Sequence, residues 1–200
     1  MQLVFATNNP NKLREINHIL GDSFQLLSLN DLKIENDIPE NEPTLEGNAL
    51  HKARHINRLV NMDVFADDTG LEIDALDGRP GVHSARFAGE AKDSNDNIDK
   101  VLRLLGSESD RRARFRTVIA LIIDGKEFLF DGRAEGRIIY EKRGNEGFGY
   151  DPVFVPEGEI RTFAEMPLSE KNLISHRARA FEKLRLFLLG YRQENNKVNV

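Results

Sequence analysis

The sequence predicts a mixed α/β fold in which a long twisted sheet is flanked by helices, and three observations predict it. Short apolar runs at 3–6 and 64–66 each stop at a polar cluster. Segments with apolar residues at helical spacing lie between and after them. The clearest strand pattern, at 115–123, runs into Asp124-Gly125, a hairpin signal that leads back through 127–130.

Taken in order, residues 3–6 form a strand, and Asn9-Pro10 starts a helix. Asparagine suits the N-cap, and proline lacks only an amide hydrogen that would be unpaired at a first helical position. Leu13, Ile16, Ile19 and Leu20 then fall on one side. Residues 39–43 form a loop, and Thr44 caps a second helix with apolar Leu45, Ala49, Ala53, Ile56 and Val60; Asn48, Lys52 and His55 lie on its other face. A strand at 64–66 ends in Asp67-Asp68-Thr69-Gly70, and 77–81 is a turn. Residues 96–105 are helical by spacing, 144–151 form a glycine-punctuated loop, and 175–189 form an amphipathic helix carrying Ala178, Phe181, Leu184 and Leu188. The expected organisation is one domain of two lobes over 1–190 followed by a polar, frayed tail at 191–200.

Composition narrows the function classes. A chain of 200 residues that is 40% hydrophobic can bury a full core. Its net charge of -5 argues against a nucleic-acid partner, which would need a concentrated basic surface. The absence of cysteine excludes disulfides, thiolate metal sites and a cysteine nucleophile. No apolar run approaches the ~20 residues of a membrane helix, and no basic-then-apolar leader opens the chain, so a cytoplasmic protein with no membrane partner is expected.

Four polar constellations are candidates for chemistry. Thr7, Asn8, Asn9, Pro10, Asn11 and Lys12 gather a hydroxyl, carboxamides and a lysine where a helix begins, a position that favours an anion. It lacks the glycine spacing of a Walker loop, and read alone it is a capped turn. Asp67 and Asp68 alternate along a strand, so they point in different directions and one should face a crevice. A hard cation takes one or two such carboxylates, although the same four residues also read as an ordinary turn. Glu40, Glu42 and Glu46 add acid nearby, as a solvated loop would. Lys171, His176 and Arg177 flank the start of the last helix and carry donors that reach a phosphate or a carbonyl; Phe148, Gly149, Tyr150 and Asp151 place aromatic faces beside a flexible glycine. No serine sits in a nucleophile elbow.

Six blocks in one order connect these pieces: Thr7 to Lys12, Glu46-Gly47-Asn48-Ala49 with Lys52-Ala53, Ala66-Asp67-Asp68-Thr69-Gly70-Leu71, Gly81 with Ser84-Ala85-Arg86-Phe87, Gly147-Phe148-Gly149-Tyr150-Asp151-Pro152, and Glu170-Lys171 with Ser175-His176-Arg177. Over nearly its whole length the chain resembles the inosine triphosphate pyrophosphatase family, with Thr69 where many members have serine. The resemblance implies an elongated two-lobed α/β fold with the cleft between the lobes, and a homodimer. It implies hydrolysis of ITP, dITP and XTP to the monophosphate and pyrophosphate with Mg²⁺ as cofactor. Thr7 to Lys12 and Lys52 would hold the phosphates, and Asp68 would be the catalytic residue and, with Glu40, a metal ligand. Thr69 and Phe148 to Asp151 would touch the nucleoside, and Lys171, His176 and Arg177 the base. A nucleotide-binding sensor would share the phosphate loop but would not need the acidic pair.

Overall fold

The computed structural model describes residues 2–20, 24–34 and 38–198, with 17–20, 192 and 194–198 described in their backbone alone. The expected apolar contacts of Ile19 and Leu20 and the last two residues of the expected tail therefore lie outside the described residues. The strands are β1 (Gln2–Phe5), β2 (Gln25–Ser28), β3 (Val64–Ile73), β4 (Pro80–Gly81), β5 (Arg112–Ile123), β6 (Lys126–Ile138) and β7 (Phe154–Pro156). The α-helices are α1 (Pro10–Leu20), α2 (Leu45–Val60), α3 (Ser94–Leu105), α4 (Leu168–Ile174) and α5 (His176–Val198). All seven strands join one sheet in the order β2-β1-β3-β5-β6-β7, with β4 also against β3. The two β1 pairings are parallel and the remaining ones antiparallel.

Side-chain alternation on β3 sorts its residues between two helical layers. Phe65 packs with Phe5, Ile119 and Leu121 under Ile16 of α1 and Phe181, Leu184 and Leu188 of α5. Its ring stacks on Phe5 at 4.6 Å, and Phe181 meets both edge-on. Val64 and Ala66 face the other way, with Val118, Ala120 and Ile122, onto Leu45, Ala49, Ala53 and Ile56 of α2. Further along the same strands a separate cluster forms: Leu71, Ile73, Phe115 and Ala134 close over Ile98, Val101 and Leu105 of α3 and over Phe154 and Phe163. The two lobes thus hold separate cores, the first lobe's split between the two faces of the sheet, and the same three long strands thread both lobes.

Three expectations change in extent. The strand expected to stop at Ala66 continues to Ile73, so Asp67 and Asp68 lie within it. Every residue from Asp67 to Ile73 has a partner on β5, the Thr69 and Leu71 amides find side-chain acceptors on Asp68 and Ser84, and nearby cations compensate the carboxylates. The strand expected at 127–130 runs to Ile138, concealed in sequence by charged residues on its open face and by Gly132 and Gly136. The final helix continues past Leu189 to Val198, through residues that include good helix formers and no proline.

Gly132 has a direct steric reason. A Cβ there would lie 2.1 Å from the His176 carbonyl oxygen and 2.4 Å from the Ala180 amide nitrogen, so α5 approaches β6 only where a side chain is absent. We predict that Gly132→Ala lowers stability by at least about 2 kcal/mol in urea unfolding, as overpacking against backbone does. Exposed Gly190 of α5, whose added Cβ would meet nothing within 4 Å, is the control: Gly190→Ala should stabilise by about 0.5–1 kcal/mol. Equal, small effects at both positions would refute the close approach.

Candidate active site

The first wall is built where β1 ends beside β3. Thr7 Oγ1 accepts the Asn9 amide at 3.2 Å, and Asn9 Oδ1 accepts the amides of Asn11 (2.9 Å) and Lys12 (3.3 Å). Asn9 is therefore the N-cap of α1, as its sequence position predicts. Capping turns Lys12 toward the sheet, where its Nζ lies 2.8 Å from Asp67 Oδ1. Asn8 Nδ2 donates to the Ile34 carbonyl at 3.4 Å.

Asp67 and Asp68 are neighbours with opposite surroundings. Asp67 points to the α1/α5 side, with Lys12 at 2.8 Å and Arg177 Nε at 3.8 Å. Burial pushes its carboxyl up, but Lys12, Arg177 and Lys52 outweigh that and hold it below the usual carboxylate range. Asp68 points to the α2 side, where burial, with Glu40 adding to it, raises its carboxyl despite Lys52 and Lys12. Asn48 Nδ2 donates to Asp68 Oδ2 at 2.9 Å, and the Thr69 amide donates to Oδ1 at 3.0 Å. The orientation of the Asn48 carboxamide is fixed independently, because its Oδ1 accepts the Glu42 amide at 2.9 Å. Asn48 therefore ties the loop carrying Glu40 to the Asp68 carboxylate.

Lys52 stands between the two proposed metal ligands, paired with Glu40 and 3.7 Å from Asp68 Oδ1. Burial raises the Glu40 carboxyl, but Lys52 outweighs it and the net shift is downward. Among the described residues no group of three or more His, Asp or Glu is placed to hold a metal ion. Two hard oxygen donors facing an open cleft still fit Mg²⁺, which keeps several waters and shares substrate phosphates.

The opposite wall is a buried ion-pair chain. Lys171 Nζ reaches Glu15 Oε1 at 2.9 Å and Asp151 Oδ2 at 2.7 Å, while Arg177 pairs with the other Glu15 oxygen. Lys171 and Arg177 both lie over the Phe148 ring, 5.3 and 5.2 Å from its centroid. The Phe148 amide donates to Asp151 Oδ2 at 2.9 Å, closing the glycine loop onto the chain. His176, 2% exposed, stacks on Phe115 at 4.5 Å with the planes 13° apart, and its Nδ1 has no hydrogen-bond partner. Burial, reinforced by Arg177 and Lys171, lowers its pKa well below the ordinary histidine value.

A cavity of about 590 Å³ joins the two walls. Of the candidate residues, Pro10 and Asn11 stand outside its lining and serve the helix start, and Asp67, Glu42 and Glu46 also lie outside it; the others line it. Tyr150 keeps the ordinary role of a buried aromatic: its hydroxyl donates to the Ser84 carbonyl at 2.9 Å and it belongs to the second core. Sequence reasoning assigned no role to Glu15 or Asn48. The first was detectable, since Glu15 follows Lys12 by three residues and shares its helix face. The second needed the α2–β3 packing.

The Ham1 family model matches residues 3–187. The dITP/XTP pyrophosphatase of Porphyromonas gingivalis is 53% identical over 189 residues, covering 94% of this chain and 97% of that one. That of Flavobacterium psychrophilum is 52% identical over 184 residues, covering 92% and 97%. The solved structure of the Staphylococcus aureus Ham1 protein superposes with a TM-score of 0.88 at 38% identity, over 96% of this chain and all of that one.

His176 generates a pH prediction. Its folded pKa lies below the unfolded value of about 6.5, so below that pH the unfolded chain binds a proton that the folded chain refuses. Stability should therefore fall as pH drops from 6.5 toward 5, by at most about 1.4 kcal/mol per unit from this group. His176→Phe, which retains the stacking, should flatten that slope in urea unfolding; an unchanged slope would show that His176 is not buried neutral.

Proposed function

The chain belongs to the Ham1 family, and from that membership we propose that it hydrolyses the non-standard purine triphosphates ITP, dITP and XTP to the monophosphate and pyrophosphate. The observation that supports this most directly is the two-ended cleft. Lys12, Lys52 and a carboxylate pair stand at one part of it, and an aromatic ring with buried nitrogen donors stands at the other.

The base end selects by hydrogen-bond polarity. Hypoxanthine and xanthine present an acceptor oxygen at C6, where adenine presents an amino donor. Arg177 carries donors alone, and neutral His176 offers one N–H that its tautomer can direct to the base. Against adenine these donors stay unpaired at about 1–3 kcal/mol each, roughly ten- to a hundredfold per contact. Phe148, beneath Lys171 and Arg177, offers the stacking face.

At the phosphate end, Thr7, Asn8 and Asn9 border the phosphate chain and Lys12 and Lys52 neutralise it. Asp68 orients the water that attacks the α-phosphorus, and pyrophosphate leaves. Its carboxylate suits that task because Asn48 and the Thr69 amide fix both oxygens, and positioning supplies most of the rate. Asp68 and Glu40 would hold Mg²⁺, which would supply further positive charge for the phosphate oxygens. Residues 1–190 act as one catalytic unit, since β3, β5 and β6 thread both lobes. Among the described residues no helix is long and apolar enough to cross a membrane. The proposed setting is a cytoplasmic homodimer acting on a free nucleotide pool.

Pyrophosphate release should be strong and Mg²⁺-dependent with ITP, dITP and XTP and weak with ATP and GTP. Equal release from all five would overturn base selection. Asp68→Asn should reduce kcat by at least about a hundredfold while leaving ITP affinity within a few fold; near-normal kcat would remove Asp68 from the chemistry.

A further inference from the structure

The lysines and arginines on the floor of the cleft are already committed to carboxylates. Lys12 faces Asp67, Lys52 faces Glu40 and Asp68, and Lys171 and Arg177 share Glu15. A triphosphate brings several negative charges into that compensated set. Arg86 lines the same cavity from the second lobe and differs in kind: among the described residues it makes no ion pair, and its partner there is the neutral backbone carbonyl of Glu40.

Its position is built. Arg86 ends the single-turn 3-10 helix Ser84–Arg86. Ser84 Oγ accepts the Leu71 amide at 2.8 Å and donates to the Gly81 carbonyl at 2.6 Å, and Tyr150 donates to the Ser84 carbonyl. This turn is thereby clamped to β3 and to the second core, and from it the half-buried guanidinium reaches across to the first lobe. One of its five donors meets Glu40, which leaves a rigid fork suited to phosphate oxygens.

We propose that Arg86 is a further phosphate-binding residue, supplied by the second lobe, which grips the phosphate chain of the substrate and through the Glu40 carbonyl couples that grip to the loop carrying Glu40. The inference rests on the reading of the cleft as a triphosphate site. Guanidinium binding to phosphate adds charge-assisted hydrogen bonds without displacing an existing ion pair, which distinguishes Arg86 from the floor cations.

The test compares wild type, Arg86→Gln and Arg86→Lys. In wild type, pyrophosphate release from ITP tests the triphosphate reading by itself. For Arg86→Gln, KM for ITP and the inhibition constant of inorganic tripolyphosphate should both rise by roughly ten- to a hundredfold. Inhibition by inosine, which carries no phosphate, should stay within about twofold, and Arg86→Lys should recover part of the loss. Unchanged tripolyphosphate inhibition in Arg86→Gln would overturn the inference while leaving the activity intact. Equal loss of inosine and tripolyphosphate would also overturn it, since that is what a purely structural latch gives. If wild type does not turn over, the triphosphate reading fails, and calorimetry decides Arg86 separately: tripolyphosphate should bind roughly ten- to a hundredfold more weakly to Arg86→Gln than to wild type, and equal binding would overturn the inference.

Discussion

The buried charge of Asp67 in the middle of the central strand is the constraint on which the rest of the site depends. A carboxylate at that depth is tolerated only if cations come to it, and they arrive from Lys12 on α1 and Arg177 on α5. Arg177 is held in turn by Glu15, Glu15 by Lys171, and Lys171 by Asp151. One chain of ion pairs thus fastens α1, β3, α4, α5 and the glycine loop around a single cavity. Such a network is weak evidence for stability, because desolvation offsets much of the Coulomb gain. It is better evidence for geometry, since breaking any link leaves a buried charge uncompensated.

That geometry separates two chemically identical neighbours. Asp67 is saturated by cations and held ionised, whereas Asp68, one residue along and across the sheet, is raised by burial and faces Asn48 and Lys52. Opposite shifts on adjacent acids mark Asp67 as a structural charge and leave Asp68 for the water-orienting role proposed above. Strand alternation makes this possible: the same period that sends Phe65 toward α5 and Ala66 toward α2 sends Asp67 and Asp68 after them.

Much of this was legible in the sequence, and the parts that were not have physical reasons. The Asn9 cap and the Thr44 cap were readable because capping is local. The extent of β3 was not, because Asp-Asp-Thr-Gly favours a turn until β5 and the cations are supplied, and those lie far away in sequence. Strand β6 was cut short because Gly132 looks like a break, whereas it is where α5 presses against the sheet. Glu15 escaped notice as one more surface acid on a helix, and only its contacts with Lys171 and Arg177 show that it holds the base-facing wall. Tyr150 carries a tie that an aromatic beside a glycine does not announce: it lines the cavity while its hydroxyl anchors Ser84.

The two walls also differ in how far they are set before a ligand arrives. The base-facing wall is fixed by strong partners on nearly every group, Arg177 Nε facing Asp67 included, and what it leaves open is narrow: His176 Nδ1, buried without a hydrogen bond. An unpaired buried donor or acceptor carries a desolvation cost that a complementary ligand removes, so this nitrogen favours a ligand that satisfies it and penalises one that does not. The phosphate wall is held by fewer ties, chiefly Lys52 to Glu40 within the first lobe and Arg86 to the Glu40 carbonyl across the lobes. Glu40 is where both ties meet, so a ligand that draws on Lys52 and Arg86 acts on the same loop from two sides. Selection by a rigid wall and grip by an adjustable one is the division this arrangement of charges favours, because preorganised dipoles discriminate best where they do not have to move.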